Sequence, residues 1–426
     1  MSEAVTLHEG VVQTIHDAFR FELDLNDRQR TWCARSAGVA RHAWNWGLRD
    51  RIDRFETNEG KAKFISGFSQ INSWVKIKPD WAYEVSSWAS VSALQDLDAT
   101  FTNFWRARKA GKRVGFPRFK APGKGRDSFK LRRRIKLIGD SAVKLPGMCG
   151  PVRIKGSTRR MSAIGYSRIL SATVSRQGDR WFVSFAVERQ HEVPPIPTGL
   201  PVGIDVALRG FVLSTGLHDG IVQGEEVLSP RALKASLRKL RRAQKSVSRS
   251  QRNSVGRKKK LARVAKIHRN IANHRADWLH KLSDRLTREH PTIGHETLNI
   301  AGLSRRGTRQ GRSWADLGAS EFFRQLAYKG ERRGVLVVKA PRFYPSSKTC
   351  SGCQAVKVDL PLSCRTYVCD NCGMVLDRDL NAALNIRSVA VTPTETLNAG
   401  GGIVRPQLAA AVPAKPEPSS VPKVAA

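Results

Sequence analysis

The chain has 426 residues, of which 74 are Lys or Arg and 36 are Asp or Glu, giving a formal net charge of +38. This length predicts roughly two to four domains. Such an excess of positive charge repels itself in a compact protein unless a polyanion neutralises it, and nucleic acid is the polyanion we expect. The alternative is a basic surface that only keeps the protein soluble.

No stretch of the sequence approaches the ~20 apolar residues of a membrane span. The N-terminus has no charged segment followed by an apolar one, so it does not predict a secretory signal. We therefore expect a cytosolic protein whose cysteines stay reduced. Cys33 and Cys149 stand alone in the sequence, and we expect both to be small, buried apolar residues.

The first half of the chain predicts helices followed by strands. Residues 14–29 predict one strand and then a helix that begins at Asn26 or Asp27, and apolar residues at spacings of three and four predict an amphipathic helix there. A second helix is predicted from Trp88 to about Gly111. Alternating apolar residues on both sides of a turn at 177–179 predict a β-hairpin. Residues 112–190 therefore predict a small β-barrel or sheet.

The second half begins with a predicted hairpin at 201–216, followed by two long helices. Residues 231–270 contain 16 Lys or Arg and no Asp or Glu. Since no acid within this segment offsets its charge, a phosphate backbone is the partner we expect. A short strand near residue 293, a helix ending at Gly334 and a buried strand at 335–340 follow. From about residue 388 the composition shifts to Ala, Pro, Val and Gly, and residues 408–426 have a composition typical of disorder.

Five cysteines lie close together after that strand. Cys350 and Cys353 form one Cys-x-x-Cys pair, Cys369 and Cys372 form another, and 15 residues separate the pairs. Two such pairs are typical of a zinc site in which each supplies two thiolates to one tetrahedral ion. Four sulfurs leave no open position, so this zinc is expected to be structural. Cys364 has no partner at this spacing and is expected to lie outside the site.

Several acids follow predicted strands or begin a predicted helix. Asp205 and Glu296 each come at a strand end, and Asp377 and Asp379 begin a segment predicted to be helical. Each alone is more typical of a turn or a helix cap. Together they predict carboxylates that converge from separate segments, and such a cluster needs divalent cations between its charges. Two Mg²⁺ ions at such a site are typical of phosphodiester hydrolysis.

Four segments in this order resemble a known family. They are "GIDVALRGFVLSTG", "ETLNIAGL", "SSKTCSGC" with "YVCDNCG", and "DRDLNAALNI". They resemble the RuvC-type nuclease core of TnpB, the transposon-encoded RNA-guided endonuclease related to the miniature type V CRISPR effectors. The resemblance covers nearly the whole chain, because the segments that begin with Phe19 and with Gly115 are also similar to family regions.

The resemblance implies a multidomain α+β fold, in which an RNase H-like (RuvC) α/β core contains an inserted zinc ribbon and a β-barrel wedge domain contains an inserted helical recognition lobe. The implied layout is a leader and first wedge strand at 1–27, the recognition lobe at 28–111, the wedge barrel at 112–196, the first part of the core at 197–349 with basic helices at 229–290, the zinc ribbon at 350–373, the last core motif at 374–392 and a disordered tail at 393–426.

The resemblance also implies the functional residues. Asp205, Glu296 and Asp379 are the implied catalytic acids and ligands of Mg²⁺, and Asp377 is then a neighbour that caps the helix. Zinc is implied at the four paired cysteines, and the implied partners are a guide RNA and double-stranded target DNA. We expect a cytoplasmic, nucleoid-associated prokaryotic protein; the sequence leaves monomer and dimer open, and a monomer is favoured. The basic residues expected to contact nucleic acid are Arg118, Lys120, Lys124, Arg132, Arg133, Arg134, Arg238, Arg241, Arg242, Lys245, Arg257, Lys258, Lys259 and Lys260.

Two positions depart from the family pattern. The strand before Glu296 contains Gly294 and His295 where the family usually has branched apolar residues, which predicts a weaker strand. Gln354 follows the first cysteine pair where the family has glycine, which predicts a less relaxed turn.

The function that we expect is RNA-guided cleavage of DNA beside a short flanking motif. One alternative is an RNA-guided or direct DNA-binding regulator with an inactive nuclease core. A third possibility is a transposase that joins DNA strands with the same type of core.

Overall fold

A computed structural model describes residues 12–57, 66–123, 125–218, 221–305, 307, 310–361 and 363–392, and the predicted disordered tail lies outside these residues. The chain divides into two units, one formed by the residues up to 193 with 238–269, the other by 194–237 with the residues from 270 onward. No helix in the described part of the chain is long and apolar enough to span a membrane.

The first unit contains an antiparallel sheet of seven strands in the order β2-β6-β7-β1-β5-β4-β3. The strands are β1 Val12–Asp24, β2 Ser128–Leu131, β3 Lys136–Ile138, β4 Ala142–Lys144, β5 Val152–Lys155, β6 Tyr166–Gln177 and β7 Arg180–Glu192. β6 and β7 form the predicted hairpin, and β1 pairs along β7 from Val12 opposite Glu192 to Leu23 opposite Trp181. The predicted sheet is confirmed, and its closure into a barrel stays a prediction.

The helices of this sheet's unit are α1 Asp27–Thr57, α2 Gly67–Ile77, α3 Trp88–Lys109 and α4 Arg159–Ala163, with a 3-10 helix at Asp80–Glu84. The predicted start of α1 is confirmed by a reciprocal cap. The Asn26 side chain accepts a hydrogen bond from the backbone N–H of Gln29 at 2.9 Å, and the Gln29 side chain accepts one from the N–H of Asn26 at 3.1 Å. α3 also lies where it was predicted, whereas α2 was not predicted.

The core of the first unit forms where α1 and α3 pack together and against the sheet. Cys33 and Leu48 of α1 and Leu94 and Leu97 of α3 are fully buried in it. The prediction for Cys33 is therefore confirmed. The same prediction for Cys149 is wrong, because this residue is exposed in the loop between β4 and β5.

The two predicted basic helices are confirmed as α5 Ala232–Ser248 and α6 Val255–Glu289. The turn between them is held by Arg257, whose Nη1 donates to the carbonyl oxygens of Val247 at 2.6 Å and Ser250 at 3.3 Å. One of the arginines expected to contact phosphate therefore braces the protein's own backbone.

The second unit contains a five-stranded sheet in the order β10-β9-β8-β11-β12. Its strands are β8 Val202–Ala207, β9 Gly210–His218, β10 Ile221–Leu228, β11 Thr292–His295 and β12 Leu336–Lys339. β10, β9 and β8 are antiparallel, which confirms the predicted hairpin, and β8, β11 and β12 are parallel. The predicted buried strand, β12, lies at the sheet edge and is half-buried.

The helices that follow β11 are α7 Ile300–Leu303, α8 Gly311–Leu317 and α9 Ala319–Arg333. The sequence predicted one helix over residues 316–334, but Gly318 adopts the left-handed conformation with φ of 74° and separates the end of α8 from α9. Gly334 ends α9 in the same conformation, as predicted.

The last elements are the hairpin of β13 Thr366–Val368 and β14 Val375–Asp377, and the helix α10 Arg378–Val391. α10 packs against β8, β9 and β11. A Cβ added at Gly203 of β8 would lie 2.0 Å from the carbonyl oxygen of Ala383, and one at Gly294 of β11 would lie 2.7 Å from that of Ile386. The glycine that predicted a weak strand thus allows the helix to lie directly on β11, the strand between β8 and β12.

Candidate functional site

Two of the three implied catalytic acids lie side by side on neighbouring parallel strands. β11 pairs with β8 so that His295 is opposite Ile204, and the next residues are Glu296 and Asp205. Glu296 directly follows β11, as predicted, whereas Asp205, which was predicted at a strand end, lies within β8 and is followed by two more strand residues. Asp205 retains only 9% of its surface exposure. The parallel pairing therefore brings together two acids that are 91 positions apart in the sequence.

The third acid, Asp379, lies in the first turn of α10. Asp377 precedes it as the helix cap, and its Oδ1 accepts hydrogen bonds from the backbone N–H groups of Asp379 at 2.9 Å and Leu380 at 3.0 Å. The prediction that Asp377 caps the helix is confirmed. α10 packs on β8, which contains Asp205, and on β11, which Glu296 directly follows, so its first turn brings Asp379 near these two acids.

The acids influence one another electrostatically. Burial raises the pKa of Asp205 well above its usual range, and the charges of Glu296 and then Asp379 raise it further. Burial also raises the pKa of Glu296, the Ser346 hydrogen bond opposes this increase, and Asp379 adds to it. The three carboxylates thus share one electrostatic environment in which their negative charges repel each other.

Two guanidinium groups offset part of this charge at Asp379. Arg378 Nη2 lies 3.3 Å from Asp379 Oδ1, and Arg365 Nη1, from the ribbon, lies 3.5 Å from Oδ2. Among the described residues, the paired cysteines are the one group whose metal-ligating atoms all lie within 4.8 Å of one another.

The sequence did not single out Ser346, which contacts this group of acids directly. Its Oγ donates a hydrogen bond of 2.8 Å to Oε1 of Glu296. Ser346 is 5% exposed and lies four residues before Cys350. A serine in a short polar run gives no distinguishing sequence signal, because its role depends on how the loop after β12 folds back to β11.

The four paired cysteines form a separate cluster. The Sγ atoms of Cys350, Cys353, Cys369 and Cys372 all lie within 4.8 Å of one another. Sγ of Cys350 is 3.6 Å from that of Cys372, and Sγ of Cys353 is 3.5 Å from that of Cys369. Four converging thiols are the ligand set of a structural zinc ion, so the chemistry of the donors fits the predicted metal. Cys364 lies outside this cluster, and its Sγ donates to the carbonyl of Thr366 at 3.0 Å.

Backbone N–H groups of the two turns point at the sulfurs. The N–H of Cys353 donates to Sγ of Cys350, and the N–H of Cys372 donates to Sγ of Cys369, each at 3.5 Å. The residue after each pair has positive φ: Gly373 at 69° and Gln354 at 64°. Both turns therefore have the same conformation, but at Gln354 a residue with a side chain adopts the left-handed region.

Two buried asparagines connect α10 to the start of the ribbon. Nδ2 of Asn381 donates to the carbonyl of Thr349 at 2.7 Å, and its Oδ1 accepts from the N–H of Ser351 at 3.0 Å. Nδ2 of Asn385 donates to the carbonyls of Ser346 at 2.8 Å and Thr349 at 2.6 Å. Their spacing of four places both on one face of the helix. This spacing is the sequence signal that could have identified them.

The basic residues expected to contact nucleic acid occupy varied environments. Lys124 lies outside the described residues. Lys120 has its Nζ 3.6 Å from the centre of the Trp44 ring, and burial of that ammonium lowers its pKa. Lys260 donates to Ser250 Oγ at 2.9 Å, and Arg257 braces the α5–α6 turn. In the described part, ten are exposed and have no side-chain hydrogen bond or ion pair: Arg118, Arg132, Arg133, Arg134, Arg238, Arg241, Arg242, Lys245, Lys258 and Lys259.

Comparison with known proteins gives relatives that align along most of the chain and others that align along about half of it. A candidate RNA-guided DNA endonuclease of Streptomyces pristinaespiralis is 32% identical over 401 residues, which are 93% of this chain and 94% of that protein. A TnpB-like protein of Acanthamoeba polyphaga mimivirus is 34% identical over 199 residues, which are 45% of this chain and 37% of the viral protein.

This chain belongs to the TnpB family. Another relative is the candidate RNA-guided DNA endonuclease InsQ of Escherichia coli K12, which is 29% identical over 389 residues, or 87% of this chain and 91% of that one. A cryo-EM structure of a Cas12f1–sgRNA–target DNA complex has a similar fold. The two structures align over 88% of this TnpB-family chain and 99% of the Cas12f1 chain, with a TM-score of 0.52 and 14% sequence identity.

Three family models match separate parts of this TnpB-family chain. The Cas12f1-like TNB domain matches residues 320–386, which contain Asp379 and the four paired cysteines. A family described as "Probable transposase" matches residues 184–307, which contain Asp205 and Glu296. A helix-turn-helix domain family matches residues 15–61. In the described part of that last match the chain forms β1 and one continuous helix, α1.

Proposed function

We propose that this chain is an RNA-guided DNA endonuclease whose catalytic acids are Asp205, Glu296 and Asp379. The observation that carries the proposal is geometric: β11 pairs with β8 so that Glu296 lies beside Asp205, and α10, whose first turn holds Asp379, packs on both strands. The electrostatic influence of Glu296 and Asp379 on Asp205 agrees with this arrangement. Relatives aligned over about nine-tenths of the chain are named as candidate RNA-guided DNA endonucleases, which supports the same activity.

We infer that the second unit is an RNase H-like, RuvC-type core with the zinc ribbon inserted before its last motif. Three observations support this. In the five-stranded sheet, β10, β9 and β8 pair antiparallel, and β11 and β12 extend the sheet parallel to β8. α10 packs against the central strands, and the ribbon residues lie between β12 and α10. The proposed layout of the first unit is a wedge barrel that contains the helical recognition lobe at 28–111.

The donor set fits magnesium. Buried carboxylates with raised pKa values repel each other, and a divalent cation bound to their oxygens would remove this repulsion. Two Mg²⁺ ions bound there would activate water and stabilise the leaving oxygen of the phosphodiester. The protein's own contribution is to orient the acids: Ser346 holds Glu296, and the Asp377 cap fixes the turn that carries Asp379.

The first unit offers a surface for nucleic acid at the end of α3 and in the segment after it. Residues 105–120 contain seven Lys or Arg and no Asp or Glu. Several arginines of α1 form ion pairs, for example Arg41 with Asp127 at 2.9 Å and Arg51 with Asp98 at 2.8 Å. None of the seven cations in 105–120 forms an ion pair in the described chain, and Lys120 alone among them has its charge over an aromatic ring, that of Trp44. Unpaired charge of one sign is complementary to a phosphate backbone.

The backbone of this segment is fixed by α1. Nδ2 of Asn45 donates to the carbonyl of Lys120 at 2.8 Å, and its Oδ1 accepts from the N–H of Lys120 at 2.8 Å. Nε1 of Trp44 donates to the carbonyl of Arg118 at 3.1 Å. Exposed rings of Phe116 and Phe119 alternate with the cations. A fixed segment with unpaired cations and exposed rings supports a role in holding the guide RNA.

The arginine loop at 132–134 supports the same role. All three side chains are exposed, and Arg133 and Arg134 have positive φ, 58° and 50°. Left-handed backbone costs about 1–2 kcal/mol per residue with a side chain. Two such residues in succession favour a functional role for the loop, because stability alone would favour glycine. On α5, exposed Arg238, Arg241, Arg242 and Lys245 are the proposed contacts to the nucleic-acid backbone.

The direct test is cleavage by the full chain purified with its own RNA. We expect a plasmid that carries the target and a randomised flank to be cut in Mg²⁺ and not in EDTA, and only beside one short flanking motif. Asp205→Ala should abolish cutting while RNA and DNA binding remain. Cutting retained by this variant would contradict the assignment.

The same assay separates the alternatives. A regulator with an inactive core would bind the target and cut in neither condition. A strand-transfer transposase would join a labelled DNA end to the plasmid, and the "Probable transposase" description of the family model that matches residues 184–307 gives a reason to include that substrate. Sedimentation of the complex tests the proposed monomer.

A further inference from the structure

The loop between β12 and the first cysteine pair has a fixed backbone. The N–H of Tyr344 donates to the carbonyl of Pro341 at 3.1 Å, and the N–H of Ser346 donates to that of Tyr344 at 2.8 Å. The carbonyl of Ser346 accepts from Asn385 on α10 at 2.8 Å. The loop is therefore held by its own turns and by a buried asparagine of the helix that carries Asp379.

One side chain of this fixed loop is almost fully in water. Phe343 is 88% exposed, more than any other large hydrophobic side chain in the described part of the chain. The guanidinium carbon of Arg342 lies 5.5 Å from the centre of its ring. Arg342 is itself exposed and makes no hydrogen bond or ion pair among the described residues. An isolated exposed apolar residue is common on protein surfaces, so exposure alone assigns no role.

The position of Phe343 gives its exposure a meaning. Ser346 follows it by three residues and donates to Glu296. Three residues span at most about 11 Å between Cα atoms, a distance that corresponds to about three nucleotides of a strand at 3.4 Å each. The ring therefore lies within a few nucleotides of the proposed cutting site. The guanidinium of Arg342, which forms no ion pair in the described chain, lies beside it, and the loop backbone is held in place by hydrogen bonds.

We propose that Phe343 is a substrate-contacting residue that stacks on one unpaired base of the DNA strand being cut, while Arg342 contacts an adjacent phosphate. The inference rests on the proposed function. Aromatic–base stacking accepts any base. Such a contact suits an endonuclease whose sequence choice comes from guide pairing, because it positions the strand without selecting the sequence at the cut.

The exposure of Phe343 makes its substitution a clean experiment. Phe343→Ala and Phe343→Leu should leave the melting temperature unchanged, because the ring packs against nothing in the folded core. With the full chain and its RNA, both should raise the KM for target DNA about fivefold or more and spread the cut over neighbouring positions. Phe343→Trp should restore both, because it restores a stacking surface. Unchanged kinetics in the Ala and Leu variants would overturn the proposal, as would rescue by Leu.

An abasic scan identifies the base involved. Single nucleotides within about three positions of the cut are replaced by abasic residues, one at a time. In the unsubstituted protein, an abasic residue at one of these positions should raise the KM about as much as Phe343→Ala does. In the Phe343→Ala protein, the same abasic residue should raise the KM no further. Additive effects at every position would show that ring and base do not interact.

A binding measurement keeps the test independent of catalysis. In the Asp205→Ala background, Phe343→Ala should weaken binding of a single-stranded DNA oligonucleotide about fivefold or more, and Phe343→Trp should not. Absence of any cleavage by the unsubstituted protein would contradict the proposed endonuclease, whereas cleavage and binding that ignore residue 343 would contradict the stacking alone.

Discussion

The backbone of Gly203 lies directly against the carbonyl oxygen of Ala383, so that a Cβ at residue 203 would stand 2.0 Å from that oxygen. Gly203 is in β8, two residues before Asp205, and Ala383 is in α10, four residues after Asp379. The position of the third acid relative to the first therefore depends on a glycine that allows helix and strand to touch.

Gly203→Ala should displace α10 from the sheet. We expect a loss of about 3 kcal/mol of stability, because the clash is with backbone and no side chain can move aside. Target cleavage should fall more than RNA binding does. Gly38→Ala is the matched control, since a Cβ at Gly38 meets nothing within 4 Å. A Gly203→Ala variant with unchanged urea midpoint and cleavage would contradict the packing described.

Gln354→Gly should stabilise the zinc ribbon. Gln354 has φ of 64°, in the turn conformation that Gly373 has at the second pair, and glycine removes a cost of about 1 kcal/mol. Thermal unfolding and zinc transfer to a chelator measure the effect. Gly373→Gln should do the opposite by a similar amount. If both variants shifted the unfolding temperature in the same direction, the two turns would not share the left-handed conformation as the cause of their stability.

His295→Phe should change how stability depends on pH. Burial lowers the pKa of His295 to about 4 from 6.5, so the unfolded chain takes up this proton at a higher pH than the folded one. The stabilisation from the neutral ring is complete above about pH 6.5, and about 3 kcal/mol of it is lost as the pH falls toward 4. The ring of His295 stacks on Phe323 with centres 4.0 Å apart, and phenylalanine can retain this contact. As the pH falls from about 6.5 toward 4, the urea midpoint of the unsubstituted protein should fall below that of His295→Phe, because phenylalanine takes up no proton; parallel curves would contradict this.

Asp205→Asn should stabilise the metal-free protein although it abolishes cleavage. Burial and the charges of Glu296 and Asp379 raise the pKa of Asp205, so its ionisation near neutral pH opposes folding. In EDTA we expect the variant to be more stable by about 1–2 kcal/mol. Added Mg²⁺ should stabilise the unsubstituted protein more than the variant. A less stable variant in EDTA would contradict the electrostatic account.

The sequence predicted most elements because their signals are local. Helices α1, α3, α5 and α6 and the two hairpins follow from apolar periodicity and turn residues. The paired cysteines were predicted from spacing alone, and the structure places their sulfurs together. The convergence of Asp205, Glu296 and Asp379 was also anticipated, though as a hypothesis about separate segments.

The rest depends on contacts between distant segments, which local patterns do not encode. Gly294 predicted a weak strand because nothing in the sequence shows that α10 lies on β11. Ser346 and Phe343 are ordinary loop residues until the fold places one against Glu296 and leaves the other in water. Arg257 was expected to contact phosphate because the sequence does not show that its side chain donates to carbonyl groups of the preceding helix and turn.

Guided cleavage at the carboxylate cluster of the second unit is the proposed activity on which the other predictions depend. We would replace the guide segment of the copurifying RNA and map where the DNA is cut. We expect the Mg²⁺-dependent cut to move to the DNA that matches the new guide, and we expect Asp205→Ala and Asp379→Ala each to abolish the cut at both targets. Cleavage that ignores the new guide, or that survives loss of either acid, would contradict it.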